Sequence, residues 1–234
     1  MAWSTGGADV STLPRRAASA KPPSVLGIDK ALFALHRRAV TLPRARRITD
    51  ALATLAGPAA SLLDVGAGDG AIAAAVGERV GASRVAGVDV LVRPRTVIEV
   101  IPYDGRRLPF PDGAFEVVTI SDVLHHCEAP SEVLAECLRV ASRAVVVKDH
   151  FRFGAVSKAL LLAMDVVGNA EAGVLVRGTY FSPAEWIDMV RAAEGRITAL
   201  HWPLRIHDAP MRLVTRDELQ FAARIEHTRN TETT

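Results

Sequence analysis

Apolar positions along this chain form two alternating patterns. Short, mainly apolar runs recur at Leu62-Leu63-Asp64-Val65, Arg84–Asp89, Thr96–Ile101, Phe115–Val118 and Ala141–Val147. Runs this short, rich in β-branched residues and bounded by Gly, Pro or Asp, predict strands covered on both faces. Between them lie segments with helical spacing. Pro43–Ala56 repeats Ile48, Leu52 and Leu55, and Asp29–Val40 carries Leu32, Phe33 and Leu35. Alanine-rich Ala71–Val76, the stretch bracketed by Cys127 and Cys137, and Ala155–Val167 also read as helices. Ser182-Pro183-Ala184-Glu185 is a capping box with proline at the first helical position, opening a helix to Ala193 that stops at Gly195. Arg196–Ile206 and Glu218–His227 alternate, predicting a final antiparallel β-hairpin that closes the sheet edge. The expectation is one α/β domain whose sheet is mostly parallel, with helices on both faces.

Length supports a single domain of 234 residues. Residues 1–24 are rich in Ser, Thr, Ala, Gly and Pro and read as a disordered leader, with Arg15-Arg16 unaccompanied by the apolar run of an export signal. The domain is then expected to span 25–234: N-terminal helices (25–57), a ligand-binding half (58–150), a lid (151–181), and a closing helix and strands (182–234). Two cysteines provide neither a disulfide framework nor metal-ligand spacing, which predicts a reduced, cytoplasmic protein. No apolar run reaches a membrane span, so stable membrane insertion is not expected. Residues 1–50 hold nine Lys or Arg against three acids, a local charge of +6 that leaves −4 elsewhere. That basic front reads as a solvated helix face over a packed stripe, with contact to an anionic membrane or an acidic partner as the alternative. Nothing in the sequence fixes an oligomeric state.

Chemistry concentrates after the first strand. Gly66-Ala67-Gly68-Asp69-Gly70 makes a tight strand-to-helix turn where a ligand can lie against the main chain. The following helix points unpaired N–H groups over it. Read loosely, Gly66-x-Gly68-x-x-Ala71 also fits a dinucleotide fingerprint. Asp64, two residues before the first glycine, would repel a pyrophosphate and suits a ligand bearing an ammonium group. Asp89, ending the second strand, can accept both hydroxyls of a ribose. Beyond it come Tyr103-Asp104-Gly105, Leu108-Pro109-Phe110-Pro111-Asp112-Gly113-Ala114-Phe115-Glu116-Val117-Val118, and Ser121-Asp122-Val123-Leu124-His125-His126.

From about Ser61 to His150, these residues resemble the S-adenosylmethionine-dependent methyltransferases with a Rossmann-like fold, within the small-molecule group called type 11. The resemblance implies a seven-stranded sheet and S-adenosylmethionine as cofactor. It implies that Asp64 lies near the methionine ammonium, that Gly66, Ala67 and Gly68 pack under the cofactor, and that Asp89 and Val90 hold the ribose. Asp104 and Gly105 would meet the adenine, with Ser121 at the end of the fourth strand. One departure is plain: Asp104 follows Asp89 by only fifteen positions, too few for the helix the family usually places there. A loop should cover that side, with Leu91 and Val92 as apolar contacts.

The implied activity is methyl transfer to a small or medium-sized molecule, by in-line displacement that the protein aligns and keeps dry. Oxygen is the expected target, because no Asn-Pro-Pro-Tyr-like motif marks an amino nitrogen. The catalytic half has no basic groove, so nucleic acid is disfavoured. Two alternatives from other classes stand: a protein that binds the cofactor without transferring its methyl, and a nicotinamide oxidoreductase. On the acceptor side His126 and His150 are the expected catalytic residues, one of them a general base. A competing arrangement has Asp122, Asp149 and His150 around a divalent metal, although no metal is the favoured expectation. Phe151, Phe153, Tyr180, Phe181, Trp186 and Trp202 are candidate pocket aromatics.

Overall fold

Neighbouring residues of the inner strands face opposite sides of the sheet, so each apolar pair feeds two cores. Leu63, Val118, Val145, Val147 and Ala223 pack into one layer, and Leu62, Val117, Val146 and Ala222 into the other. This is why the strands read as mainly apolar runs without a polar face. The computed structural model describes residues 40–169, 176–209 and 211–228. The expected leader and nearly all of the helix at Asp29–Val40 lie outside them.

The elements are α1 (Leu42–Ala56), β1 (Ser61–Val65), α2 (Ala71–Val80), β2 (Arg84–Asp89), β3 (Glu99–Pro102), β4 (Phe115–Ser121), α3 (Pro130–Val140), β5 (Ala141–His150), α4 (Ala155–Asn169), α5 (Pro183–Ala192), β6 (Gly195–His201), α6 (Met211–Thr215) and β7 (Gln220–His227). The seven strands lie in the order β3-β2-β1-β4-β5-β7-β6. β1 to β5 pair in parallel, and β7 runs antiparallel between β5 and β6. The last two strands thus pair as the alternation predicts, with β7 inserted inside β6. A long connection allows this by letting the chain cross back over the sheet.

α1 starts on its proline and buries Ile48, Leu52 and Leu55 against α2 and the sheet. α5 carries the complete capping box, with Ser182 and Glu185 each accepting the other's backbone N–H. Trp186, Phe181, Phe221 and Phe151 interlock beneath it. No helix joins β2 to β3, as the short spacing requires. β3 starts later than Thr96 because the glycine turn captures that segment: Val97 N–H donates to Asp69 O at 2.9 Å. A Cβ on Gly70 would lie 2.4 Å from Ile98, so the two are packed as closely as a glycine permits. Among the described residues, no helix is long and apolar enough to cross a membrane.

Candidate active site

The carboxyl ends of β1, β2, β3 and β4 meet at the point where strand order reverses, which is where open α/β sheets bind ligands. A cavity of about 730 Å³ opens there, within the usual range of roughly 300–1,000 Å³ for small-molecule sites. Gly66, Gly68, Asp89, Val90, Asp104, Gly105 and Ser121 line it, all from the expected set, joined by Leu91, Tyr103, Asp122, Val123 and His126. Val92 does not reach it. Of the expected cofactor residues, Asp64 and Ala67 also stay outside the lining.

The turn shows what its glycines are for. Gly66 has φ +76°, and a Cβ there would fall 2.3 Å from Val123. Gly68 has φ +60° and open space where its Cβ would be. The first glycine permits packing against the β4 turn; the second leaves a bare floor. Asp89 braces that floor, its Oδ2 accepting from Gly68 N–H and its Oδ1 from Leu91 N–H, both at 2.8 Å. Each oxygen keeps a second lone pair for a hydroxyl donor. Asp104 Oδ1 accepts from the N–H groups of Arg106 and Arg107, which hold its carboxyl below the usual range.

Asp64 sits beneath the turn, buried, with Thr119 Oγ1 donating to its Oδ1 at 2.6 Å. Burial pushes its pKa up to about 7, against the lowering pull of that hydroxyl. The folded protein therefore binds this proton more tightly than the unfolded chain does. The resulting stability is complete below the ordinary carboxylate range and is lost as pH rises through about 7. Asp64→Asn keeps an acceptor for Thr119 and removes the titration. The stability of wild type relative to Asp64→Asn is expected to fall between pH 5 and pH 8, by at most about 1.4 kcal/mol per pH unit. Urea unfolding at both pH values measures this, and a constant difference would contradict it.

Beyond β4 the polar groups form a second tier. Asp122 has φ +57°, unusual for a residue with a side chain. Lys148 Nζ, fully buried, donates to its Oδ1 at 2.5 Å and to Gln220 Oε1 at 2.8 Å. Arg44 of α1 donates to Oδ2 at 2.6 Å. Burial alone would raise the Asp122 carboxyl, but Lys148 and Arg44 hold it far below the normal range. With both oxygens taken by cations, Asp122 is a poor metal ligand.

His125 and His126 form a short 3₁₀ turn at Leu124–His126. His126 reaches the cavity, whereas His125 is buried behind it with ring centroids 4.0 Å apart. His125 Nδ1 meets Asp149 Oδ1 at 2.6 Å. Burial would lower the His125 pKa, but Asp149 beside it pushes it up to about 10. His150 is also buried and lies outside the cavity lining, 3.3 Å from Asp149 Oδ1 and 3.6 Å from Asp122 Oδ1. Burial and the charge on Lys148 lower its pKa.

The candidate aromatics divide between core, a separate groove and the surface. None lines the cavity; Phe151 and Trp186 are core, Tyr180 and Phe181 line a separate groove, and Phe153 and Trp202 are half exposed. Sequence reasoning missed Arg44, Lys148 and Gln220 as partners of the site. Asp165, which interrupts the apolar run of α4, was a visible signal: Tyr180 O–H donates to its Oδ2.

Residues 63–144, which hold the turn, Asp89, Asp104 and both histidines of the β4 turn, match the family model described as a methyltransferase domain. That match spans 82 of the chain's 234 residues. Solved structures agree on the fold. A chain from the complex of the Haloferax volcanii Trm112 methyltransferase activator with a methyltransferase superposes with a TM-score of 0.60 at 17% identity, covering 86% of this chain and 96% of that one. An S-adenosylmethionine-dependent methyltransferase from Aquifex aeolicus gives 0.53 at 16% identity, covering 85% and 95%. The mitomycin 7-O-methyltransferase MmcR gives 0.52 at 21% identity, covering 76% of this chain and 53% of that one. No curated protein sequence matches. The bare floor at Gly68 and the doubly braced Asp89 fit a nucleoside cofactor.

Proposed function

We propose that this chain is an S-adenosylmethionine-dependent methyltransferase that methylates an oxygen of a small or medium-sized acceptor, with Asp89 and Val90 at the cofactor ribose, Asp104 and Gly105 at the adenine, and Gly66, Gly68 and Ser121 along its length. The observation that carries the acceptor side is His126, the one histidine in the cavity lining, backed by a buried cluster of ionisable groups. When bound, the cofactor supplies an electrophilic methyl carbon whose sulfur keeps the bonding pair on departure. The chain's own groups do the rest. The turn and Asp89 fix one reactant, and the β4 turn places the acceptor hydroxyl opposite it, a positioning effect worth several orders of magnitude in rate. The acceptor oxygen gains the methyl group and gives up its proton at the His126 edge of the cluster. Asp64 acts from below the turn, without reaching the cavity, and His150 supports Asp149.

The cavity rim mixes Arg93, Arg106 and Arg177 with Asp104, Glu128 and Glu132, which suits a small molecule better than a polyanion. MmcR, by its name a methylator of oxygen, shares the fold. The test uses methyl-labelled cofactor and a fractionated small-molecule extract. The expected result is label in a low-mass product as an O-methyl group, with one S-adenosylhomocysteine formed per methyl transferred. Label on nitrogen, or in nucleic acid, would overturn the assignment; cofactor binding without transfer would make the chain a binding protein.

A further inference from the structure

Four separate segments send ionisable groups into one place behind the cavity wall: the β4 turn, the end of β5, helix α4 and Tyr180. We propose that His125 Nε2, His126 and Asp165 are the ligands of a divalent transition-metal ion there, with Asp149 orienting His125 from behind. Its catalytic meaning rests on the methyltransferase reading above, whereas binding of the ion does not.

The geometry is that of a metal-bound imidazole and its supporting carboxylate. One ligand atom from each of His125, His126 and Asp165 lies within 4.8 Å of the others, a spacing that one ion can bridge. Asp149 Oδ1 sits 2.6 Å from His125 Nδ1. With an ion bound, that contact would hold the proton on Nδ1 and turn the Nε2 lone pair to the metal, as outer-shell carboxylates do for metal-bound histidines. His125 Nε2 is buried, faces Asp165 Oδ2 at 3.2 Å, and makes no hydrogen bond. A buried ring nitrogen left in this state calls for an explanation. Asp149 itself is a hydrogen-bond hub, its Oδ1 also accepting the His150 backbone N–H at 2.8 Å. It therefore supports the site from outside the ligand set.

Charge points the same way. Asp165 is the only acid in α4, a mostly apolar helix whose one other charged residue is Lys158, and it turns towards His125. Asp149 and Asp165 set two carboxylates against the His125 ring, and a divalent cation on Nε2 would take the place of the proton that otherwise bridges ring and carboxylate there. Two imidazoles and one carboxylate favour zinc, cobalt, iron or manganese over magnesium or calcium. His126 lines the cavity, so an open coordination position would face the acceptor. A hydroxyl oxygen bound there would lose its proton more readily.

The competing state is a protonated His125 bridging Asp149 and Asp165, and one titration separates the two. The full chain, without a histidine tag and stripped by chelator, is titrated with Co²⁺ by visible absorption and with Zn²⁺ by calorimetry. The expected result is one ion per chain with micromolar or tighter affinity. Asp165→Asn and Asp149→Asn should each weaken it by about tenfold to a hundredfold, with far-UV circular dichroism unchanged. Wild-type protein that takes up neither ion at millimolar concentration overturns the proposal, as does uptake indifferent to His125→Gln. S-adenosylhomocysteine binding on the same samples reports the methyltransferase reading separately: retained cofactor binding without metal refutes the ion alone.

Discussion

Gly66→Ala is expected to destabilise the protein by roughly 2–5 kcal/mol. Two costs add. A side chain at left-handed backbone angles costs about 1–2 kcal/mol, and Gly66 has φ +76°. The new methyl would also lie 2.3 Å from Val123 Cγ2, and such overpacking costs about 1–3 kcal/mol. Val123 is short and held between the β4 turn and the cavity, so it has little room to yield. Gly68→Ala makes the contrast. It has the backbone cost but meets no atom within 4 Å, so its stability loss should stay near 1–2 kcal/mol. Its methyl points into the space assigned to the cofactor, and binding should suffer instead. Urea unfolding and cofactor titration of both variants separate the roles; equal stability of Gly66→Ala and wild type would contradict the packing described.

Lys148→Met is expected to cost about 3 kcal/mol. Removing one member of a buried ion pair generally costs about 3–5 kcal/mol, because the other charge stays buried without its partner. Here the lower end applies, since Asp122 keeps Arg44 and retains 22% side-chain exposure. Gln220 Oε1 would lose its donor as well. For a chain of this size the melting temperature should drop by roughly 6–12 °C, at about 2–4 °C per kcal/mol. Adding Asp122→Asn should restore part of the loss by removing the stranded charge. A single variant that melts with the wild type, or a double variant that melts at the sum of both losses, would show that the two groups are not coupled.

Much of this architecture was legible because both faces of the sheet are covered. A strand such as Leu62-Leu63 or Val145–Val147 must be apolar at every position, and that run is visible in sequence. The glycine turn and Asp89 were legible for a related reason: a bare backbone and a strand-end acid leave few substitutes. Less was legible where contacts join distant segments. Lys148 reads as a charge at the end of an apolar run, and nothing local says that it pairs with Asp122 and Gln220. Asp64 was expected to face the ligand, but a strand residue's side chain points where the pleat sends it, here under the turn to Thr119. The later histidine of the pair is the one a strand-end turn aims at the opening, and the turn at Leu124–His126 brings His126 to the cavity and places His125 on Asp149 and Asp165, whereas His150 is buried outside the lining. The β2–β3 loop was anticipated from spacing alone, whereas the capture of Val97 by Asp69 O was not.

The most direct test of the site is calorimetric titration of the full chain with S-adenosylhomocysteine and, separately, NADH. One S-adenosylhomocysteine should bind per chain, and NADH should not compete. Asp89→Ala should weaken that binding by roughly tenfold to a hundredfold, since charge-assisted hydrogen bonds contribute about 1.5–3 kcal/mol each and about 1.4 kcal/mol is tenfold. Binding of NADH in place of S-adenosylhomocysteine, or an affinity unmoved by Asp89→Ala in a folded variant, would contradict the placement of the cofactor at this turn.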